Sequence, residues 1–179
     1  QFHDFYPQYY TPKQSQELPA EAMYEFKKAG DDAGWPYIYY DQFQKKKIVA
    51  PEYGGDGKKT GGENALDPIV AFPAHMGPND ILFYTGNSFP ARYKNGAFIA
   101  FHGQAAELKK GYLVAFVPFK NGKPSGPWEI FADNFSGQDL TKPTGPIEHR
   151  PCGLAQGPDG SLFVCDDLNG SIWRISFQK

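Results

Sequence analysis

Cys152 and Cys165 flank the triplet Pro158-Asp159-Gly160. That triplet is a strong turn signal. Folding the chain about it brings the cysteines opposite or nearly opposite each other on paired strands. Thiols so placed either close a cross-strand disulfide or stay reduced as small packing groups, and the sequence leaves both open. They are the only cysteines, and neither a Cys-x-x-Cys-His haem site nor a Cys/His zinc spacing accompanies them. Asp166-Asp167 supplies oxygens of the kind calcium takes. In a strand-to-turn step the favoured reading is that they tie down the corner through hydrogen bonds. Gly54-Gly55-Asp56-Gly57-Lys58-Lys59 has the glycine density of a phosphate loop. It lacks Gly-x-x-x-x-Gly-Lys-Ser/Thr and a strand-to-helix context, so it reads as a surface turn.

The elements that must position these groups are short strands. Expected strands run over 69–72, 81–84, 97–101, 112–119, 128–132, 153–157, 162–166 and 171–177. Pro78-Asn79-Asp80, Lys94-Asn95-Gly96, Asn121-Gly122-Lys123-Pro124 and Asn169-Gly170 punctuate them. Residues 1–20, rich in Tyr, Gln and Pro without a clear period, read as an extended surface segment. Pro19–Lys28 fits a short helix or a strand around 23–27, and the alternation favours the strand. Residues 45–65 read as a long irregular connection, with Ala33–Tyr37 as a loop before it. The segment from Leu162 to Ile175, preceded by an inner strand from Arg150, has the strand–turn–strand layout of a propeller blade. The stretch from Ala97 to Val117 repeats it. At ~40–50 residues per blade the chain makes roughly three to four blades, fewer than most closed propellers use.

Composition agrees with an all-β chain: 16% of residues are aromatic, and 20 Gly and 16 Pro break the sequence into short runs. The net charge of −2 is interspersed, with no basic stripe for nucleic acid and no acidic disordered block. No apolar run approaches the ~18–20 residues a membrane span needs. The first residues lack a charged and an apolar leader region, as would those of a mature chain that had lost its signal.

Several stretches resemble the sorbosone dehydrogenase/soluble aldose dehydrogenase family of pyrroloquinoline-quinone (PQQ)-dependent sugar dehydrogenases. They are Gly34-Trp35-Pro36-Tyr37 with Tyr40-Asp41, Ala50 through Lys58, Phe72-Pro73-Ala74-His75 through Phe83-Tyr84-Thr85-Gly86 to Ala97 through Gly103, and His149-Arg150-Pro151 through Asp166-Asp167 to Ile172-Trp173-Arg174-Ile175. The resemblance covers nearly the whole chain. It implies the C-terminal part of a six-bladed β-propeller, a single partial domain over 1–179, with PQQ and calcium near the axis. It implies oxidation of a sugar hydroxyl by hydride transfer to PQQ, in a periplasmic or secreted protein. The family's catalytic His and its Arg–Asn pair come from earlier blades, so no catalytic residue is expected here. A second polypeptide or the missing N-terminal blades would supply them.

Carried over position by position, the resemblance implies Arg150 and Lys109 as cofactor-binding residues. PQQ is a planar tricarboxylate that calls for cationic donors. Alternatively, Arg150 pairs with Glu148 at a rim, and Lys109 is a solvated loop residue. The carbonyls of Gly34, Trp35 and Pro36 match the calcium loop, with Trp35 expected as a buried anchor. Phe72 and His75 match positions bordering the sugar. After His102-Gly103 the chain reads Gln104-Ala105-Ala106-Glu107 where relatives have Ser-Trp-Asn-Arg. The alternative to an enzyme is therefore a degenerate half-propeller acting as a non-catalytic binding or structural subunit. Lactone hydrolysis on axial calcium is a further propeller activity, but the chain shows no compelling set of axial ligands for it.

Overall fold

The computed structural model describes residues 2–106 and 108–178. Gln1 and Glu107, the latter quoted in the segment after His102, lie outside the described residues. The chain is all-β with very little helix. It divides into two compact units, Gln1–His75 with Ala105–Leu108, and Met76–Gln104 with Lys109–Lys179.

In the first unit the expected extended segment is instead wound into α1 (Phe2–Phe5) and α2 (Pro12–Glu17). The cause is local. Thr11 Oγ1 accepts from Gln14 N at 3.2 Å while Gln14 Oε1 accepts from Thr11 N at 2.9 Å, a reciprocal cap, and Pro12 occupies the first turn. The segment is not superficial either: Tyr10 and Leu18 are buried with Tyr39, Ile48 and Ala50 in one cluster, and the Tyr10 and Tyr39 hydroxyls lie 3.2 Å apart. β1 (Glu21–Met23) lies ahead of the strand expected around 23–27, sharing only Met23 with it, and pairs antiparallel with β4 (Val70–Phe72). The irregular connection expected over 45–65 opens with a strand. β2 (Ile38–Asp41) and β3 (Lys46–Val49) form an antiparallel hairpin. Asp41 Oδ1 nucleates its turn by accepting from Phe43 N at 2.9 Å and Gln44 N at 2.8 Å, and Ile48 anchors it in the core.

The second unit carries the larger sheets. β5 (Pro78–Phe83), β6 (Ala97–Ala105), β7 (Lys110–Val117) and β10 (Glu129–Ala132) form a four-stranded sheet in the order β10-β7-β6-β5. A minor hairpin, β8 (Phe119–Lys120) with β9 (Lys123–Pro124), follows β7. β11 (Pro151–Gln156), β12 (Leu162–Asp166) and β13 (Ile172–Ile175) form a three-stranded antiparallel sheet. These are the strand–turn–strand segments expected from the sequence. Tyr84, Phe89, Phe98, Val114, Phe116, Phe135, Leu162 and Val164 form their shared core. Polar clasps hold the two sheets together: the Tyr84 hydroxyl donates to Gly160 O at 2.7 Å, and Asp80 Oδ2 accepts from Leu154 N at 2.7 Å. Burying Tyr84 is tolerable because its hydroxyl is satisfied.

Candidate functional site

The charged cluster of the second unit is built at the start of β11. Pro151 cannot donate to the ladder, so the preceding residue is tied by a side chain instead: Arg150 N donates to Asp166 Oδ1 at 2.9 Å. Asp166 ends β12 and is 4% exposed. Its Oδ1 also accepts from Leu168 N at 3.0 Å, and its Oδ2 accepts from His149 Nδ1 at 2.7 Å and Asn169 N at 3.2 Å. Burial opposes ionisation of this carboxyl. The donors from Arg150, His149, Leu168 and Asn169 outweigh that and hold it well below the usual carboxylate range. Asp166 is thus the corner tie expected from the sequence.

Asp167 faces the other way and joins the two sheets. Arg150 Nε and Nη2 donate to its two oxygens at 3.2 Å each, and His102 Nε2 on β6 lies 3.0 and 3.1 Å from them. The hydrogen bond from His102 leads the effects that lower the Asp167 carboxyl, with the Arg150 charge adding to it. The pairing of Arg150 with Glu148 gives way to pairing with Asp167. The fork geometry explains the preference, since a planar guanidinium meets a carboxylate in parallel contacts. Two N–H groups of Arg150 serve Asp167, and its other three meet no acceptor among the described residues. The Arg150 and His102 side chains are about a third and a quarter exposed.

Beside this cluster, the register of β11 shifts between Pro151 and Gly153, so Cys152 sits at a bulge. Cys152 and Cys165 are free thiols with sulfurs 3.6 Å apart. The expected facing of the two positions is met.

Lys109 is exposed on the β6–β7 turn with φ of +54°. It lines a cleft of about 140 Å³ with Lys110, Asp133 and Asp139, and Arg150 is not among the lining residues. Gly34, Trp35, Pro36, Phe72 and His75 belong to the first unit. Gly34 has φ of +87° and its carbonyl accepts from Ile38 N at 2.9 Å. Trp35, expected as a buried anchor, is 77% exposed. The backbone at Gly34 packs close against Ile38, where an added Cβ would stand 2.9 Å from Ile38 Cβ, while the indole of the next residue faces outward. Phe72 is 2% exposed, and His75 Nε2 donates to Ser15 O at 2.9 Å.

Sequence reasoning missed the partnership of His102 with Asp167. They are 65 residues apart and no local pattern links them. It also missed a cleft of about 520 Å³ lined by Asn134, Phe135, Glu148, His149, Trp173 and Arg174, among others. There the Trp173 ring meets His149 edge-on, with centroids 5.1 Å apart.

A family model described as TrAA12-like matches residues 39–178. An uncharacterized protein of Borreliella burgdorferi is 29% identical over 148 residues, covering 82% of this chain and 36% of its own length. A pyrroloquinoline quinone-dependent sugar dehydrogenase of Hypocrea jecorina is 29% identical over 138 residues, 75% of this chain and 28% of its own. The chain therefore spans about a third of the length of the curated relatives it matches. Among solved structures, the iodide structure of a Trichoderma reesei carbohydrate-active enzyme of family AA12 superposes with a TM-score of 0.63 at 24% identity, covering 88% of this chain and 43% of that one. A glucose dehydrogenase superposes with a TM-score of 0.58 at 18% identity, covering 84% and 35%. At these identities the likeness is one of fold.

Proposed function

The chain belongs to the TrAA12-like family, and from that membership we propose that it is the C-terminal part, roughly three to four blades, of a six-bladed, PQQ-dependent sugar dehydrogenase. The observation that carries this reading is the Arg150–Asp167–His102 cluster. It is a partly exposed guanidinium held in fixed orientation by a carboxylate, with three N–H groups left for a second one. Those N–H groups suit a carboxylate of a tricarboxylate quinone. When bound, such a quinone supplies the acceptor for a hydride from a sugar hydroxyl. This chain's own contribution is to hold the anion at Arg150, with His102 a further polar group at the same place. The proton acceptor for the sugar hydroxyl is assigned to the remaining blades. By the family likeness alone, Lys109 is assigned to the cofactor, and Phe72 and His75 to the sugar. An extracytoplasmic place of action goes with this reading.

The residues at Gly34–Pro36 fit calcium only in part. The Gly34 carbonyl already accepts from Ile38 N, while calcium takes six to eight oxygens. Among the described residues no group of three or more His, Cys, Asp or Glu is placed to hold a metal.

Equilibrium dialysis against PQQ, with the chain joined to its remaining blades, tests the reading. Replacing Arg150 by Ala removes a charged hydrogen-bonding partner worth about 1.5–3 kcal/mol, roughly a 10- to 150-fold loss of affinity. Sugar-dependent dye reduction should fall in step. Equal PQQ uptake by parent and Arg150→Ala, or none by the parent, would overturn it. The latter result favours the non-catalytic structural subunit. The departure at Gln104–Ala106 and the exposed Ile172 and Trp173 of edge strand β13 also speak for that alternative.

A further inference from the structure

The bulge in β11 has a chemical consequence. Pro151 pairs with Asp166 and Gly153 with Cys165, so Cys152 is the additional residue, opposed by no partner of its own. A bulge re-aims the side chain it carries. Here it brings Cys152 Sγ to 3.6 Å from Cys165 Sγ. Gly153 completes the arrangement, because a Cβ there would stand 2.7 Å from Cys165 Sγ and displace it. Both cysteines are partly exposed, so a small oxidant can reach them. Cys152 lies two residues from Arg150 and Cys165 two residues from Asp167, so a bond between the sulfurs would staple the strand ends that carry the charged cluster.

We propose that Cys152 and Cys165 are a reversible disulfide-forming pair that closes across the β11 bulge. The sulfurs must approach by roughly 1.5 Å to reach bonding distance, a shift within the range of side-chain rotation at a bulge. With oxidised glutathione as oxidant, one protein thiolate attacks its disulfide and releases one glutathione thiolate. The second protein thiolate then attacks the mixed disulfide and releases the other. The two protein thiols lose two protons and two electrons, and one glutathione disulfide is reduced to two thiols. Burial, with Cys165 and the two aspartates adding to it, pushes the Cys152 thiol up to about 11. Closure therefore accelerates as pH rises through the neutral range.

The test is incubation of the native chain with excess oxidised glutathione at pH 8.5, followed by unfolding, alkylation and intact-mass measurement. The expected product carries no alkyl group and no glutathione, is restored to two alkylatable thiols by dithiothreitol, and melts about 5–10 °C higher than the reduced form. Cys152→Ser should abolish both the closure and the rise. Two alkylatable thiols after prolonged oxidation, a glutathione adduct persisting on the parent chain, or disulfide-linked dimers would each overturn the proposal. The readout needs no quinone, so a failure here and a failure of PQQ uptake are separate results.

Discussion

Asp166 is the residue on which the corner beside Arg150 turns, and its removal has a calculable effect. Its carboxylate accepts from four donors, and it is 4% exposed. Asp166→Ala leaves all of them without that partner. The N–H groups of Leu168 and Asn169 lie on an exposed turn and find water. The Arg150 N–H and the His149 ring are partly buried and each cost about 1–3 kcal/mol when orphaned. The expected loss is about 3–5 kcal/mol, the range for breaking a buried charged contact. Asp166→Asn retains one carbonyl for the backbone donors and should lose about 1–2 kcal/mol. The acid dependence carries a second signature. The folded-state carboxyl is held below its unfolded value, which is about 3.9. Its contribution is therefore present above pH ~4 and is lost as pH falls toward the folded value. Urea denaturation followed by tryptophan fluorescence at pH 7 and pH 3.5 measures both effects, with Trp173 as a reporter at the same corner. Parent and Asp166→Asn should differ at pH 7, and the difference should begin to narrow by pH 3.5. A loss below about 1 kcal/mol for Asp166→Ala, or an acid loss undiminished in Asp166→Asn, would refute the account.

Further outcomes follow from the same packing. Tyr84→Phe removes the hydroxyl that donates to Gly160 O and accepts from Ser88 N and Phe89 N. It should cost about 1–3 kcal/mol in urea denaturation with little change of fold by circular dichroism. Phe98→Ala empties the centre of the aromatic cluster, where Phe98 is fully buried among Tyr84, Phe116 and Phe131. A loss of about 3–5 kcal/mol is expected. Trp35→Ala should leave stability within about 0.5 kcal/mol, since the side chain is 77% exposed. A large loss would mean that Trp35 is buried after all, as an anchor.

The sequence by itself determined the strand ladder of the second unit. Alternating apolar residues between Pro-Asp-Gly, Asn-Gly and Lys-Asn-Gly turns leave few other ways to bury Leu162, Val164, Phe98 and Phe116. It also set Cys152 near Cys165, because a tight turn fixes pairing on either side of it, whereas the bulge that brings the two sulfurs together came only with the structure. It was poorest where local side-chain hydrogen bonds outweigh composition, as in the Thr11–Gln14 cap that winds a Tyr/Gln-rich segment into a helix and the Asp41 turn that starts a hairpin in a lysine-rich stretch. Tertiary structure alone decided the charged cluster. Arg150 had a sequence neighbour in Glu148, yet Asp167 took it, and His102 came from another sheet to share the same carboxylate. The reason is geometric. Pairing in sequence follows from turns, whereas which charges meet depends on how two separately formed sheets stack, and that is set by the aromatic core between them.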